Sequence, residues 1–130
     1  AFRDAVDRVN DELVIVLQAE HTDAVQNIAS IVQVPGIDAV LVGPFDLSGS
    51  LGVLGELSHP SVLEAIEVVR HHCQAAGLPL GIFAPNVAMA RRYIGQGFRL
   101  IALGMDVFFL WQAAQAALSE VRAGLSRGGS

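Results

Sequence analysis

Apolar residues in this chain follow two alternating patterns: short unbroken runs, and longer stretches in which they recur every three or four positions. Leu13 to Ala19 is the first run and reads as a strand, and over Thr22 to Val32 the positions Ala24, Val25, Ile28, Ala29 and Val32 have helical spacing. Ala39 to Val42 is continuously apolar, as a strand buried on both faces should be, and Gly43-Pro44 stops it. After a loop carrying Gly49, Gly52 and Gly55, Pro60 opens a helix that runs to about Ala76, with Gly77 marking its end. Leu80 to Ala84 is the third strand, followed by a helix from Asn86 to about Gln96 and a stop at Gly97. Leu100 to Leu103 is the fourth, ending at Gly104, and a last helix spans about Asp106 to Ala123. Phe2, Val6 and Val9 place the start of the chain in the middle of a further helical pattern, as if it were cut there.

Four consecutive βα units put the chain in the α/β class, with a parallel sheet and right-handed crossovers. Two architectures fit. A doubly wound sheet is one, but no Gly-x-Gly-x-x-Gly turn or Walker-type loop supports a nucleotide site. The other is the C-terminal half of a TIM (β/α)8 barrel, a fold that needs about 250 residues where this chain has 130. Composition favours the half-barrel. Apolar residues make up 52% and charged residues 16%, and the mean hydropathy is +0.49. That is more apolar surface than a free-standing domain of this size hides, as expected if strand faces and edges await further chain. The last helix carries Phe108, Phe109, Leu110, Trp111, Ala113, Ala114, Ala117, Leu118 and Val121, too wide an apolar surface for a simple outer helix, so a partner is expected to cover part of it. The domain organisation expected is a partial barrel over residues 1–123 and a flexible tail over 124–130, whose Gly/Ser-rich end has no apolar anchor.

A net charge of −5 and a pI of 5.2, with eight scattered Arg and no Lys, argue against a general nucleic-acid or anionic-membrane surface. No apolar run approaches the roughly 18 to 20 residues of a membrane span, and a cytoplasmic location is expected. Cys73 is the sole cysteine, which excludes an internal disulfide or a thiolate cluster and reads as a buried helix residue.

The candidate chemistry lies at strand ends. Asp46, in Val42-Gly43-Pro44-Phe45-Asp46-Leu47-Ser48, sits just past the second strand, and Glu20 holds the equivalent place after the first. On a barrel both project from the C-terminal rim, on adjacent strands roughly 5 Å apart. Two carboxylates without a histidine or thiolate partner suit a hard cation such as Mg²⁺ or Mn²⁺, completed by substrate and water, better than zinc. The alternative is that Glu20 is an exposed loop acid and Asp46 a helix cap. His21 reads as a surface or supporting residue, since adjacent side chains at a strand end diverge; His59 belongs to a helix entry, and His71 and His72 to a solvent-facing helix surface.

Gln18-Ala19-Glu20, then Val34-Pro35-Gly36-Ile37-Asp38-Ala39, Val42 to Ser48, Leu51-Gly52, His59-Pro60, Gly81-Ile82-Phe83-Ala84 and Ala102-Leu103-Gly104-Met105-Asp106 together resemble the HpcH/HpaI aldolase/citrate lyase family. The resemblance implies the metal-binding part of a class II pyruvate aldolase barrel, cleaving a 4-hydroxy-2-oxo acid of the 2-keto-3-deoxy sugar acid type to pyruvate and an aldehyde. It implies that Glu20 and Asp46 hold a divalent metal, Mg²⁺ or Mn²⁺ with Co²⁺ a further option, which chelates pyruvate and stabilises the enolate. Backbone amides around Gly43 and Phe45 would receive the pyruvate carboxylate, and Phe83 matches a position lining the pyruvate pocket, with barrel packing its alternative. One departure stands out: Ala19-Glu20-His21 replaces the family's usual Ile-Glu-Thr.

The family's catalytic His-Asp dyad and keto-binding Arg come from the N-terminal half of the barrel, so no catalytic residue is expected in this chain, and alone it should be a poor aldolase. The resemblance further implies exchange of the last helix between subunits and a homo-oligomer, trimeric or hexameric, or a complementing N-terminal half. A citrate-lyase or malyl-coenzyme-A type lyase and a non-catalytic half-barrel module for oligomerisation or ligand binding are the other readings.

Overall fold

The computed structural model of this protein describes residues 12–127 together with Arg3 and Val9; Phe2 and Val6 of the initial amphipathic pattern lie outside them. The four apolar runs form β1 (Val16–Ala19), β2 (Ala39–Val42), β3 (Leu80–Ala84) and β4 (Leu100–Leu103), parallel and side by side in chain order. Between and after them lie α1 (Thr22–Gln26), α2 (Ile28–Ile31), α3 (Pro44–Ser50), α4 (Pro60–Ala76), α5 (Val87–Gly95) and α6 (Asp106–Arg127). A doubly wound sheet requires the strand order to reverse at a switch point. These described strands run in one direction without reversal, the arrangement of half of a (β/α)8 barrel.

Alternation along each strand separates the two faces of the sheet. Val40, Val42, Ile82 and Ala84 are almost wholly buried against α4 and α5, where Val62, Ala65, Ile66, Val69 and Cys73 supply the apolar stripe of α4 at helical spacing. The opposite face carries the row Gln18, Leu41, Gly81 and Leu100, aligned by strand register, and among the described residues no helix of the outer layer covers it. Gly81 is required in that row. A Cβ there would lie 2.9 Å from the Leu41 Cδ1 and from both Cβ and carbonyl oxygen of Leu100.

Three elements differ from the sequence expectation. β1 begins at Val16 rather than Leu13, because β2 starts at Ala39 and the Asp38 carboxylate takes the Ile15 amide at 2.7 Å, ending the ladder. The helix expected over Thr22 to Val32 is broken into α1 and α2 at Asn27, whose side-chain amide donates to the Asp23 carbonyl at 2.8 Å in competition with the backbone ladder. Part of the expected glycine loop is instead the helix α3, opened by Pro44 at its first position. The expected boundary at Ala123 also falls inside a helix: α6 continues to Arg127, and the rest of the expected tail lies outside the described residues.

Every side chain of α6 from residue 106 to 123 is exposed, including Phe108, Phe109, Leu110 and Trp111. Its root is fixed where the Phe109 ring lies over Gly104, a residue with φ of 62° that has no room for a Cβ. Among the described residues no helix is long and apolar enough to cross a membrane.

Candidate metal and substrate site

Glu20 is the first residue past β1. The register pairs Ala19 with Val42, so Glu20 lies opposite Gly43, and the Gly43 amide donates to the Ala19 carbonyl at 3.3 Å. The absence of a side chain at Gly43 makes room for this carboxylate. A Cβ there would lie 2.9 Å from Glu20 Oε2, 3.1 Å from Glu20 Cβ and 3.5 Å from Gln18 Nε2. Asp46 is the third residue of α3, in its first turn, where an acid is favoured by the orphan amides and the helix dipole. The structure thus brings the two acids to the ends of adjacent strands, at one rim of the sheet.

Side-chain hydroxyls hold α3 in place. Ser48, fully buried, donates to the Phe45 carbonyl and accepts from the Gly55 amide at 2.8 Å, which folds the following loop back onto α3. Ser50 donates to the Leu47 carbonyl at 2.9 Å and accepts from the Thr22 amide at 3.2 Å. Leu47, wholly buried, anchors the other side of the helix in the core.

A cavity of about 630 Å³ opens at this rim on the uncovered face of the sheet. Asp46, Gly43, Phe45 and Phe83 line it, together with Gln18, Leu41, Leu57, Pro85, Ala102, Met105 and Phe108. Among the described residues Asp46 is its sole ionisable lining group, and the remaining polar side chain is that of Gln18. Gln18 opens the motif Gln18-Ala19-Glu20 but received no site role from the sequence, although it is the one polar residue in the run Leu13 to Ala19 and stands two positions before Glu20, on the same side of the strand. Leu57, Met105 and Phe108 come from loops and a helix root whose approach to the sheet leaves no trace in periodicity.

Neither Glu20 nor Asp46 has a hydrogen-bond or ion-pair partner among the described residues, and no cationic side chain lines the cavity. Two unpaired, hard oxygen donors fit a divalent cation of the Mg²⁺ or Mn²⁺ kind. The described residues offer no group of three His, Cys, Asp or Glu that would hold a metal by itself, so the remaining positions belong to substrate, water or groups outside these residues.

The histidines serve other purposes. His21 caps α1, its Nδ1 accepting from the Asp23 amide at 3.1 Å, and His59 caps α4 through the Ser61 amide and hydroxyl. His71 and His72 meet edge to face at 5.5 Å on α4, directly after Arg70, whose exposed ion pair with Glu67 lowers the Glu67 pKa by hydrogen bonding. Cys73 is buried in the core, and burial pushes its thiol up to about 11.

A family model described as HpcH/HpaI aldolase/citrate lyase matches residues 2–113. The chain is 40% identical over 122 residues to a hydroxypyruvate/pyruvate aldolase of Chromohalobacter salexigens, covering 94% of this chain and 48% of that protein. It is 40% identical over 113 residues to a 4-hydroxy-2-oxo-heptane-1,7-dioate aldolase of Salmonella arizonae, covering 87% and 43% respectively. A crystal structure of a family protein from Burkholderia cenocepacia superposes with a TM-score of 0.89 at 40% identity, over 93% of this chain and 47% of that one. The chain therefore spans about half the length of the curated relatives it matches. With the sheet order, the rim carboxylates and the matched span in agreement, the chain belongs to the HpcH/HpaI aldolase/citrate lyase family.

Proposed function

We propose that this chain is the metal-binding half of a class II aldolase that cleaves a 4-hydroxy-2-oxo acid into pyruvate and an aldehyde. The observation that carries the reading is the pair Glu20 and Asp46, unpartnered among the described residues at the rim of a half-barrel: Asp46 lines an apolar cavity, and Glu20, outside that lining, lies against its residue Gly43. Relatives named as hydroxypyruvate/pyruvate and 4-hydroxy-2-oxo-heptane-1,7-dioate aldolases support the same reaction class.

Glu20 and Asp46 would hold the cation, Mg²⁺ or Mn²⁺. When bound, such an ion supplies Lewis-acid stabilisation of the negative charge that develops on a keto oxygen as the carbon–carbon bond breaks. The amides of Phe45 and Asp46, at the second and third positions of α3, have no intrahelical acceptor and suit the pyruvate carboxylate; the Gly43 amide is taken by Ala19. Phe45 and Phe83 bound the site with apolar surface that excludes water around the pyruvate methylene. A proton must still reach or leave the reacting oxygen, and apart from Asp46 no described lining residue is ionisable, so the base would come from outside this half of the site. The exposed α6 is the surface on which a second subunit would pack, giving a homo-oligomer. A coenzyme-A-type lyase is less well supported, because the cavity lining offers no cation for the phosphates.

The test is pyruvate formation from a 4-hydroxy-2-oxo acid by this chain combined with an N-terminal half-barrel of the family. Turnover that a chelator abolishes and that Asp46→Asn also removes is the expected result. Turnover indifferent to both would contradict the proposal.

A further inference from the structure

Glu20 lies in the turn between β1 and α1, and a turn holds a side chain in place only if its two ends are tied down. One end is tied by the strand pairing, through the Gly43 amide on the Ala19 carbonyl at 3.3 Å. The other end is Thr22, the first residue of α1, whose amide is one of the orphan donors at a helix start. The cap does not serve it, because His21 spends its Nδ1 on the Asp23 amide. Ser50 accepts from it instead, at 3.2 Å, while its own hydroxyl donates to the Leu47 carbonyl at 2.9 Å. Both ties thus run to the segment Gly43 to Ser50, the segment that carries Asp46. Ser50 is absent from the cavity lining, and its hydroxyl is committed to these two backbone groups.

We propose that Ser50 is a positioning residue for the carboxylate pair: by holding the Thr22 amide, its hydroxyl fixes the Glu20 turn relative to Asp46. The inference rests on the reading above, in which the pair binds a divalent cation. It goes beyond that reading in assigning part of the cation affinity to a hydroxyl that touches neither the ion nor the substrate.

Ser50→Ala breaks this bond by removing the acceptor, and Ser50→Thr keeps the hydroxyl. Calorimetric titration of Mn²⁺ into the 130-residue chain should show Ser50→Ala weakened about five-fold, the size of one net hydrogen bond. Ser50→Thr should stay within about two-fold of the unsubstituted chain, while melting without metal reports the stability of both variants. Ser50→Ala binding Mn²⁺ like the unsubstituted chain, with Glu20→Ala abolishing binding, would overturn the role of Ser50 alone. Equal weakening in Ser50→Thr would assign the effect to bulk disturbance of α3 and overturn it too. An unsubstituted chain that melts cooperatively yet binds no Mn²⁺ would remove the metal reading itself, and this inference with it.

Discussion

Gly43→Ala separates holding a metal site from holding a fold. At φ −100° and ψ 87° the residue is outside the left-handed region, so alanine meets no backbone barrier of the kind that protects Gly77 or Gly104. The obstacle is Glu20. The new methyl would lie 2.9 Å from Oε2 and 3.1 Å from Cβ of that side chain. Relief to an ordinary contact of about 3.4 Å moves the carboxylate by roughly 0.5 Å. A carboxylate tip can swing that far at little cost to the fold, the Cβ contact asks the Glu20 turn to give by about 0.3 Å, and the stiffer unfolded chain returns about 0.4 to 1 kcal/mol. Stability should therefore stay within about 1 kcal/mol of the unsubstituted chain. Metal geometry is less forgiving, because a site works only with its ligands held within about 0.5 Å of the productive arrangement and this displacement uses up that margin. A roughly tenfold loss in Mn²⁺ affinity is the consequence, equal to about 1.4 kcal/mol. Titration calorimetry and thermal melting on the same preparations measure both quantities. Unchanged affinity at unchanged stability would refute the placement of Glu20 against Gly43.

Gly81→Ala should behave in the opposite way, because its new methyl meets the Leu100 carbonyl and Cβ at 2.9 Å, atoms of a neighbouring strand that cannot swing aside. A loss of about 1 to 3 kcal/mol is expected in denaturant unfolding, and a variant as stable as the unsubstituted chain would contradict the packing of β3 on β4. Cys73 should resist thiol reagents in the folded chain and react on unfolding, since it is wholly buried. Its thiol is pushed up by burial, so the unfolded chain gives up a proton that the folded chain retains. Stability should accordingly fall as the pH rises from 9.0 toward about 11, a decline that Cys73→Ala reduces; a pH-independent unfolding midpoint there would contradict it.

The parts of the fold legible in the sequence are those in which local chemistry and tertiary packing agree. Pro60 and Gly77 bound α4 where expected, with Gly77 left-handed at φ 70°, and β2, β3 and β4 coincide with their apolar runs. Where side chains compete for the backbone, periodicity was blind. Asp38 ended β1 early and Asn27 split a helix, each through a bond that the apolar pattern does not encode. The helix α3, Pro-Phe-Asp-Leu-Ser-Gly-Ser, has poor intrinsic propensity and exists because Leu47 is buried and Ser48 and Ser50 bond across to neighbouring segments. Strand ends and motif resemblance singled out Gly43, Phe45, Asp46 and Phe83, which line the cavity, and Glu20, which lies against Gly43 outside that lining. They did not disclose the wall formed by Leu57, Met105 and Phe108, because it depends on how a loop and the root of α6 pass over the rim.

The central claim is that Glu20 and Asp46 together bind a divalent cation and that the cation recruits a 2-oxo acid. Calorimetric titration of Mn²⁺ into this chain, with and without pyruvate or oxalate, and with Glu20→Ala and Asp46→Ala alongside, tests it most directly. The account predicts Mn²⁺ binding that either substitution abolishes and that the oxo acid strengthens, by linkage, as the oxo acid itself binds more tightly with the metal present. Mn²⁺ binding that survives both substitutions, or none at all to a chain that melts cooperatively, would contradict it.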